Sequence, residues 1–203
     1  MDKNWNFLCD KLDKKSICEM SKRLGISQVF SVILLNRGIN PLYLSELESS
    51  DLSKLYDPFL LKDMDIAVSE IKKSISEGEK ITVYGDYDVD GIASVVMLVR
   101  YLKRKGADCD SYIPDRESEG YGLNCDAVKK IADGGTKLII TVDNGITATE
   151  EADYAKSLGT KMIITDHHAC GDNLPNALAV VNPKRSDCDY PFKELSGAGV
   201  CFK

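Results

Sequence analysis

From residue 80 onward, short β-branched runs alternate with stretches whose apolar positions recur at helical spacing. KITVYGD reads as a strand, GIASVVMLVRYLKRKG as a helix closing on basic residues and glycine, and CDSYIPD as a second strand. LNCDAVKKIADGG then reads as a helix, KLIITVDNG as a strand, TATEEADYAKSLG as a helix, and KMIITDHH and ALAVVNP as the last two strands. This alternation implies βαβ units, which pair their strands in parallel and bury both faces of the sheet under helices. The expected fold is therefore α/β, a parallel β-sheet of about five strands flanked by helices. Residues 1 to about 78 lack the alternation. SQVFSVILLNRGI and MDIAVSEIKKSISEGEK carry apolar residues at helical spacing, the second closing at Gly78, and the segment between them mixes short apolar groups with Ser, Asp and Pro. Two domains are expected: an N-terminal helical arm over 1–78 and an α/β domain over 79–203.

Composition narrows the class. The 203 residues are 43% hydrophobic with only 6 prolines, enough for a sizeable core. No window approaches the run of about 18 apolar residues that spans a bilayer. The opening MDKNWNFLCDKLDKKS lacks the apolar centre of a signal peptide, so a cytoplasmic protein with no membrane partner is expected. The 7 cysteines are odd in number, form no CxxC pair and fit no zinc-finger spacing, which suits reduced thiols. Cys170, three residues after His167, could in principle share a metal with it, but a buried thiol is much the stronger reading. The net charge is -6, and from residue 81 on 14 basic residues face 19 acidic ones. That is not the footprint of a protein that binds nucleic acid by bulk charge. Any such binding has to use local basic groups, bound cations or other parts of the protein.

The candidate chemistry sits where the strands end. YGDYDVDGIAS sets Asp86, Asp88 and Asp90 at alternate positions before Gly91. Two carboxylates about 4 Å apart repel by roughly 4 kcal/mol at an effective dielectric near 20, so the cluster needs solvent or a cation. Asp143 follows the central strand, and the only two histidines, His167 and His168, follow Asp166 at the end of another. Ligands of open α/β sheets bind beyond the carboxyl ends of the strands, so these groups converge on one edge. Carboxylates with imidazoles suit Mn²⁺ or Mg²⁺ better than structural zinc. Asp143 is the best candidate to bridge two ions about 3.5–4 Å apart, a pair able to activate a water and stabilise the leaving oxygen of an in-line displacement at phosphorus. Gly91 is expected to let the chain turn tightly into the next helix. A receiver-like signalling domain also gathers acidic groups around Mg²⁺, but it accounts poorly for the paired histidines. A Walker-type nucleotide site is excluded, since no GxxxxGK(S/T) is present.

GDYDVDGIAS, TVDNGI and TDHH resemble, in order and spacing, the first three motifs of the DHH phosphoesterase superfamily, named for the triplet seen here as Asp166-His167-His168. DPFLLKDM, YIPDRESEGYGLN, VVNPKR and LSGAGVCFK are similar to segments of the RecJ-type single-strand-specific exonucleases, and the likeness covers roughly residues 57 to 203. The DxDxDG run alone is weak, because calcium loops share it. The resemblance implies a 5′→3′ single-stranded-DNA exonuclease of DNA repair and recombination, releasing 5′-mononucleotides by two-metal-ion attack of water with Mn²⁺ or Mg²⁺. Residue by residue it makes Asp88 and Asp90 metal ligands, Asp86 a further ligand or supporting group, Asp143 the bridge and His167 the imidazole ligand. His168 would contact the scissile phosphate, and Asp166 would orient the histidines rather than ligate. Arg116 would meet a substrate phosphate, whose oxygens match a guanidinium fork. The implied partner is the 5′ end of single-stranded DNA, with a single-strand-binding protein and a helicase as candidate protein partners.

In the family, a fourth motif with another metal-binding aspartate, a second domain and an OB-fold follow the DHH triplet. The expectation is thus an N-terminal fragment, weakly active or inactive alone. Two rivals share the superfamily: a short-oligonucleotide or cyclic-dinucleotide phosphodiesterase and, more distantly, a pyrophosphatase, which would carry histidine where Tyr84 stands. A non-catalytic DHH scaffold of a replication complex is the remaining alternative. Such a scaffold would be expected to lose ligands, yet those of the first three motifs are all present.

Overall fold

The computed structural model describes residues 12–39, 51–117, 119–120 and 122–203. Residues 1–11 and 40–50 of the expected helical arm, and Ser118 and Tyr121 of the RESEGYGLN segment, lie outside the described residues. The chain divides into two compact units, Met1–Leu55 and Tyr56–Lys203. In the first, α1 (Lys14–Leu24) starts under Asp13, whose carboxylate accepts the Lys15 and Ser16 amides, and closes at Gly25 with φ 66. Helix α2 (Gln28–Asn36) starts under Ser27. Met20 and Leu34 are buried between them, packed with Leu24, Ile26, Leu35 and Ile39.

The second unit runs α3 (Met64–Ser76), β1 (Ile81–Tyr84), α4 (Val89–Arg104), β2 (Cys109–Tyr112), α5 (Cys125–Asp133), β3 (Leu138–Val142), α6 (Thr149–Ser157), β4 (Lys161–Thr165), β5 (Ala179–Val181) and α7 (Gly197–Phe202). The sheet has five strands in the order β2-β1-β3-β4-β5, and every neighbouring pair is parallel. The expected α/β sheet is thus present, with the helices on both faces.

Period-two alternation along the strands divides the core. Ile81, Val83, Leu138, Ile140, Val142, Ile163 and Val181 face one side, against Met64 and Ala67 of α3, Val95 and Leu102 of α4, and Val200 of α7. Tyr84, Ile139, Met162, Ile164 and Val180 face the other, against Ala127, Val128 and Ile131 of α5 and Ala152 and Ala155 of α6. Each fully buried aliphatic side chain contributes roughly 1.5–3 kcal/mol, which is why these strands read as near-continuous apolar runs.

The free edge of β5 is closed by side chains. Asp63 Oδ2 accepts the Val180 amide at 3.2 Å, and Nη1 of Arg185 donates to both Asp63 Oδ2 (2.6 Å) and the Val180 carbonyl (2.5 Å). Asp187 holds the rest of the guanidinium through Nε and Nη2. An edge strand left open would offer its backbone to another chain.

The topology fixes where a ligand can sit. From β1 the chain crosses by α4 to β2 on one side, whereas from β3 it crosses by α6 to β4 on the other. The carboxyl ends of β1 and β3 therefore flank the switch point, where a crevice forms. Among the described residues no helix is long and apolar enough to cross a membrane.

Candidate metal centre

The loop leaving β1 brings three carboxylates to the crevice, each held differently. Asp86 is fully buried; its Oδ1 accepts the Tyr87 amide at 2.7 Å, and its Oδ2 is buried without a hydrogen bond. Asp88 caps α4, accepting the Gly91 amide at 2.9 Å. Asp90, in the first turn of α4, accepts the Gly197 amide on Oδ2 and the Ala198 amide on Oδ1, each at 2.7 Å. Gly91 does not make the turn expected of it. The helix has already begun at Val89, and a Cβ on Gly91 would come 2.6 Å from the Asp86 carbonyl oxygen, so glycine is needed for the close approach of two backbone segments.

Asp143 stands one residue beyond β3 at φ 62, with its amide donated to the Thr165 carbonyl at 3.0 Å. It is 2% exposed. Its Oδ1 lies 3.1 Å from Nε2 of His167, yet it receives no aligned hydrogen bond from that ring or from any other described residue. The Asp90 Oδ2 is 3.7 Å from the same Nε2. Burial, and then the charges of Asp90 and Asp88, push the Asp143 carboxyl up to about 7, with His168 opposing them in part.

Beyond β4, Asp166 is buried and organises the histidine pair. Its Oδ1 accepts the His167 amide at 2.7 Å and the His168 amide at 3.2 Å and lies 2.7 Å from His168 Nδ1, while its Oδ2 accepts the Ile146 amide at 2.9 Å. The rings of His167 and His168 sit 4.5 Å apart, centroid to centroid.

One ligand atom each from Asp143, His167 and His168 lies within 4.8 Å of the others. Asp90 adjoins that group through His167, whereas Asp86 and Asp88 stand outside it, on the loop beside it. Cys170 is also outside; it packs against the core face formed by α5 and α6. The exposed Arg116 guanidinium lies 5.3 Å over the ring of Tyr87, between Asp86 and Asp88 in sequence. A hard divalent cation fits this donor set. Carboxylate and imidazole atoms converge without a thiolate, and Asp143 Oδ1 is a buried acceptor that no described group donates to, a costly state that a cation relieves.

Two features of the site were not read from the sequence. The amides of Gly197 and Ala198 anchor Asp90 from more than 100 residues away, within a GAGV segment noticed only through the resemblance. Asn144, buried with neither carboxamide atom partnered, lines a cleft of about 310 Å³ with Asp166, His168 and Glu151.

The Asp166-His167-His168 triplet at the switch-point edge of a doubly wound sheet puts the chain in a defined class. The chain belongs to the DHH family: the model for "DHH family, N-terminal domain" matches residues 80–203. Within that family it is a homologue of RecJ. It is 45% identical over 193 residues to the single-stranded-DNA-specific exonuclease RecJ of Bacillus subtilis (strain 168), covering 94% of this chain and 24% of that protein. A crystal structure of exonuclease RecJ bound to manganese matches with 36% identity and a TM-score of 0.66, over 73% of this chain and 37% of that one. RecJ in complex with Mn²⁺ from Thermus thermophilus matches with 29% identity and a TM-score of 0.65, over 94% of this chain and 26% of that one. The chain spans about a quarter of the length of the curated relatives it matches.

Proposed function

We propose that this chain is the catalytic domain of a metal-dependent 5′→3′ single-stranded-DNA exonuclease that releases 5′-mononucleotides in DNA repair and recombination. The observation that carries this reading is the buried Asp143 Oδ1, 3.1 Å from His167 Nε2 with no hydrogen bond, beside the carboxylates that follow β1. The likeness to manganese-bound RecJ supports the same choice of cation. On this reading Asp143 and His167 would hold Mn²⁺ or Mg²⁺ together with Asp88 and Asp90, with Asp143 the candidate for a carboxylate shared between two ions. Asp86 supports the loop or adds a ligand. When bound, the ions supply charge at the phosphate oxygens and acidify a water.

The chain's own residues then orient the reactants. The Asp166 carboxylate engages His168 Nδ1, which leaves Nε2 to meet the phosphate, donating to it when the ring is protonated. Arg116, whose guanidinium lies over the Tyr87 ring, would pair with a phosphate of the strand. In the hydrolysis a water oxygen bonds to the phosphorus of the second nucleotide and the bond from that phosphorus to O3′ of the first breaks. The first nucleotide leaves with a 3′-hydroxyl and the strand keeps a 5′-phosphate. On the same reading the protein would act in the cytoplasm and encounter a single-strand-binding protein or a helicase. The test is substrate length: the natural full-length chain is expected to degrade a long 5′-phosphorylated single strand in preference to a dinucleotide. Cleavage of the dinucleotide alone would move it to the small-substrate branch of the family.

A further inference from the structure

Asp90 and Asp143 stand on different elements, yet both touch the start of α7. The Gly197 and Ala198 amides donate to the two oxygens of Asp90 at 2.7 Å each. A Cβ added to Gly197 would fall 2.1 Å from Oδ1 of Asp143 and 2.5 Å from its Cβ and Cγ. Those atoms are not the free end of a flexible side chain. Asp143 is buried, and its backbone is fixed at φ 62 with its amide bonded to Thr165. Gly197 itself is not among the positive-φ glycines, so the demand for glycine here is one of space, not of backbone conformation. Gly199, in the same turn, differs: its added Cβ would meet only the Leu195 side chain, at 3.3 Å, and the tolerable contacts beyond it.

We infer that Gly197 is a positioning residue for the metal centre: its bare Cα lets the first turn of α7 close on Asp143 while the Gly197 and Ala198 amides seat Asp90, so this turn sets the separation of the two carboxylates. The inference rests on the metal-dependent reading above and adds a residue that acts through Asp90 and Asp143 without itself touching an ion. When both aspartates are ionised they carry like charge, and without an outside brace their mutual repulsion would drive them apart. Two amides fixed by a helix start are such a brace.

The test is Mn²⁺ binding, by calorimetry and by electron paramagnetic resonance, in the natural full-length chain and three variants, with circular dichroism and thermal unfolding recorded in EDTA. Gly197→Ala is expected to weaken Mn²⁺ binding by about tenfold to a hundredfold with its circular dichroism unchanged, the range typical of residues that support metal ligands. Ala198→Pro, at a helix position that tolerates proline, removes one amide from Asp90 and sets a ring CH₂ against its Oδ1 in place of the donor; it is expected to weaken binding by about tenfold or more. Gly199→Ala is expected to bind as the wild type does. Both glycine substitutions raise helix propensity alike, so a purely structural role for the turn would move the two together. Wild-type affinity in Gly197→Ala, or an equal loss in Gly199→Ala, overturns the inference. Should Gly197→Ala fail to fold, unchanged affinity in Ala198→Pro overturns it. A wild-type chain that binds no Mn²⁺ overturns the metal reading itself, and this inference with it.

Discussion

Asp143 carries more of the site's physical tension than any other residue described. Its φ of 62 is a conformation that asparagine and aspartate tolerate better than most side chains. Its carboxyl is pushed up to about 7, first by burial and then by Asp90 and Asp88, from an ordinary value of 3.8. Between those values the metal-free native state holds a proton that the unfolded chain has released. On this group's account, stability therefore falls as pH rises from about 4 to about 7. Asp143→Asn keeps the backbone preference and removes the titration. In EDTA we expect it to unfold at a higher temperature than wild type at pH 8 and to lose most of that advantage at pH 5. Equal differences at the two pH values would contradict the burial argument. Asp166→Ala should release the His168 ring and leave the buried Ile146 amide unpaired, lowering kcat of the natural chain by about 10- to 100-fold. A kcat within twofold of wild type would show that the ring needs no such support. Asp143, His167 and His168 were legible in the sequence because residue type itself records their chemistry and each lies just past a strand. The anchors of Asp90 were not: they are backbone amides 107 and 108 positions away, and nearly every residue has one. Gly91 was misread for a related reason, since the backbone it approaches is set by tertiary packing.

At the scale of elements, the alternation of β-branched runs with helical stretches was enough to expect the sheet, because strands buried on both faces must be apolar throughout. It could not give the strand order, which depends on the side to which each crossover turns. Nor could it give the edge of β5, where Asp63 reaches across 117 positions to the Val180 amide. Arg185 is 8% exposed and joins Asp63, Asp187 and the Val180 carbonyl. Arg185→Ala leaves the Asp63 carboxylate without its cation, and we expect a loss of about 3 kcal/mol in urea unfolding, as for other broken buried ion pairs. A loss under about 0.5 kcal/mol would mean that solvent replaces the guanidinium at no cost. The metal centre lies on other strand ends, so Mn²⁺ affinity should change little in the same variant.

On the proposed reading, the whole molecule brings an acidic chain to an acidic substrate. With a net charge of -6 and five aspartates on the crevice side of the sheet, the chain has little bulk attraction for DNA, so cations and a few local groups such as Arg116 must carry the encounter. We expect EDTA to abolish strand binding by the 203-residue chain and Mn²⁺ to restore it in part; undiminished binding in EDTA would contradict that account. The central claim concerns the natural full-length chain: that the cluster around Asp143 drives removal of nucleotides from single-stranded DNA. It is tested most directly by following Mn²⁺-dependent release of mononucleotides from a long 5′-phosphorylated single strand by wild type and Asp143→Ala. The account predicts progressive loss of the strand from its 5′ end by the wild type and none above background by the variant. Wild-type protein that folds and binds Mn²⁺ but leaves the strand intact, or a variant that degrades it at the wild-type rate, would contradict it.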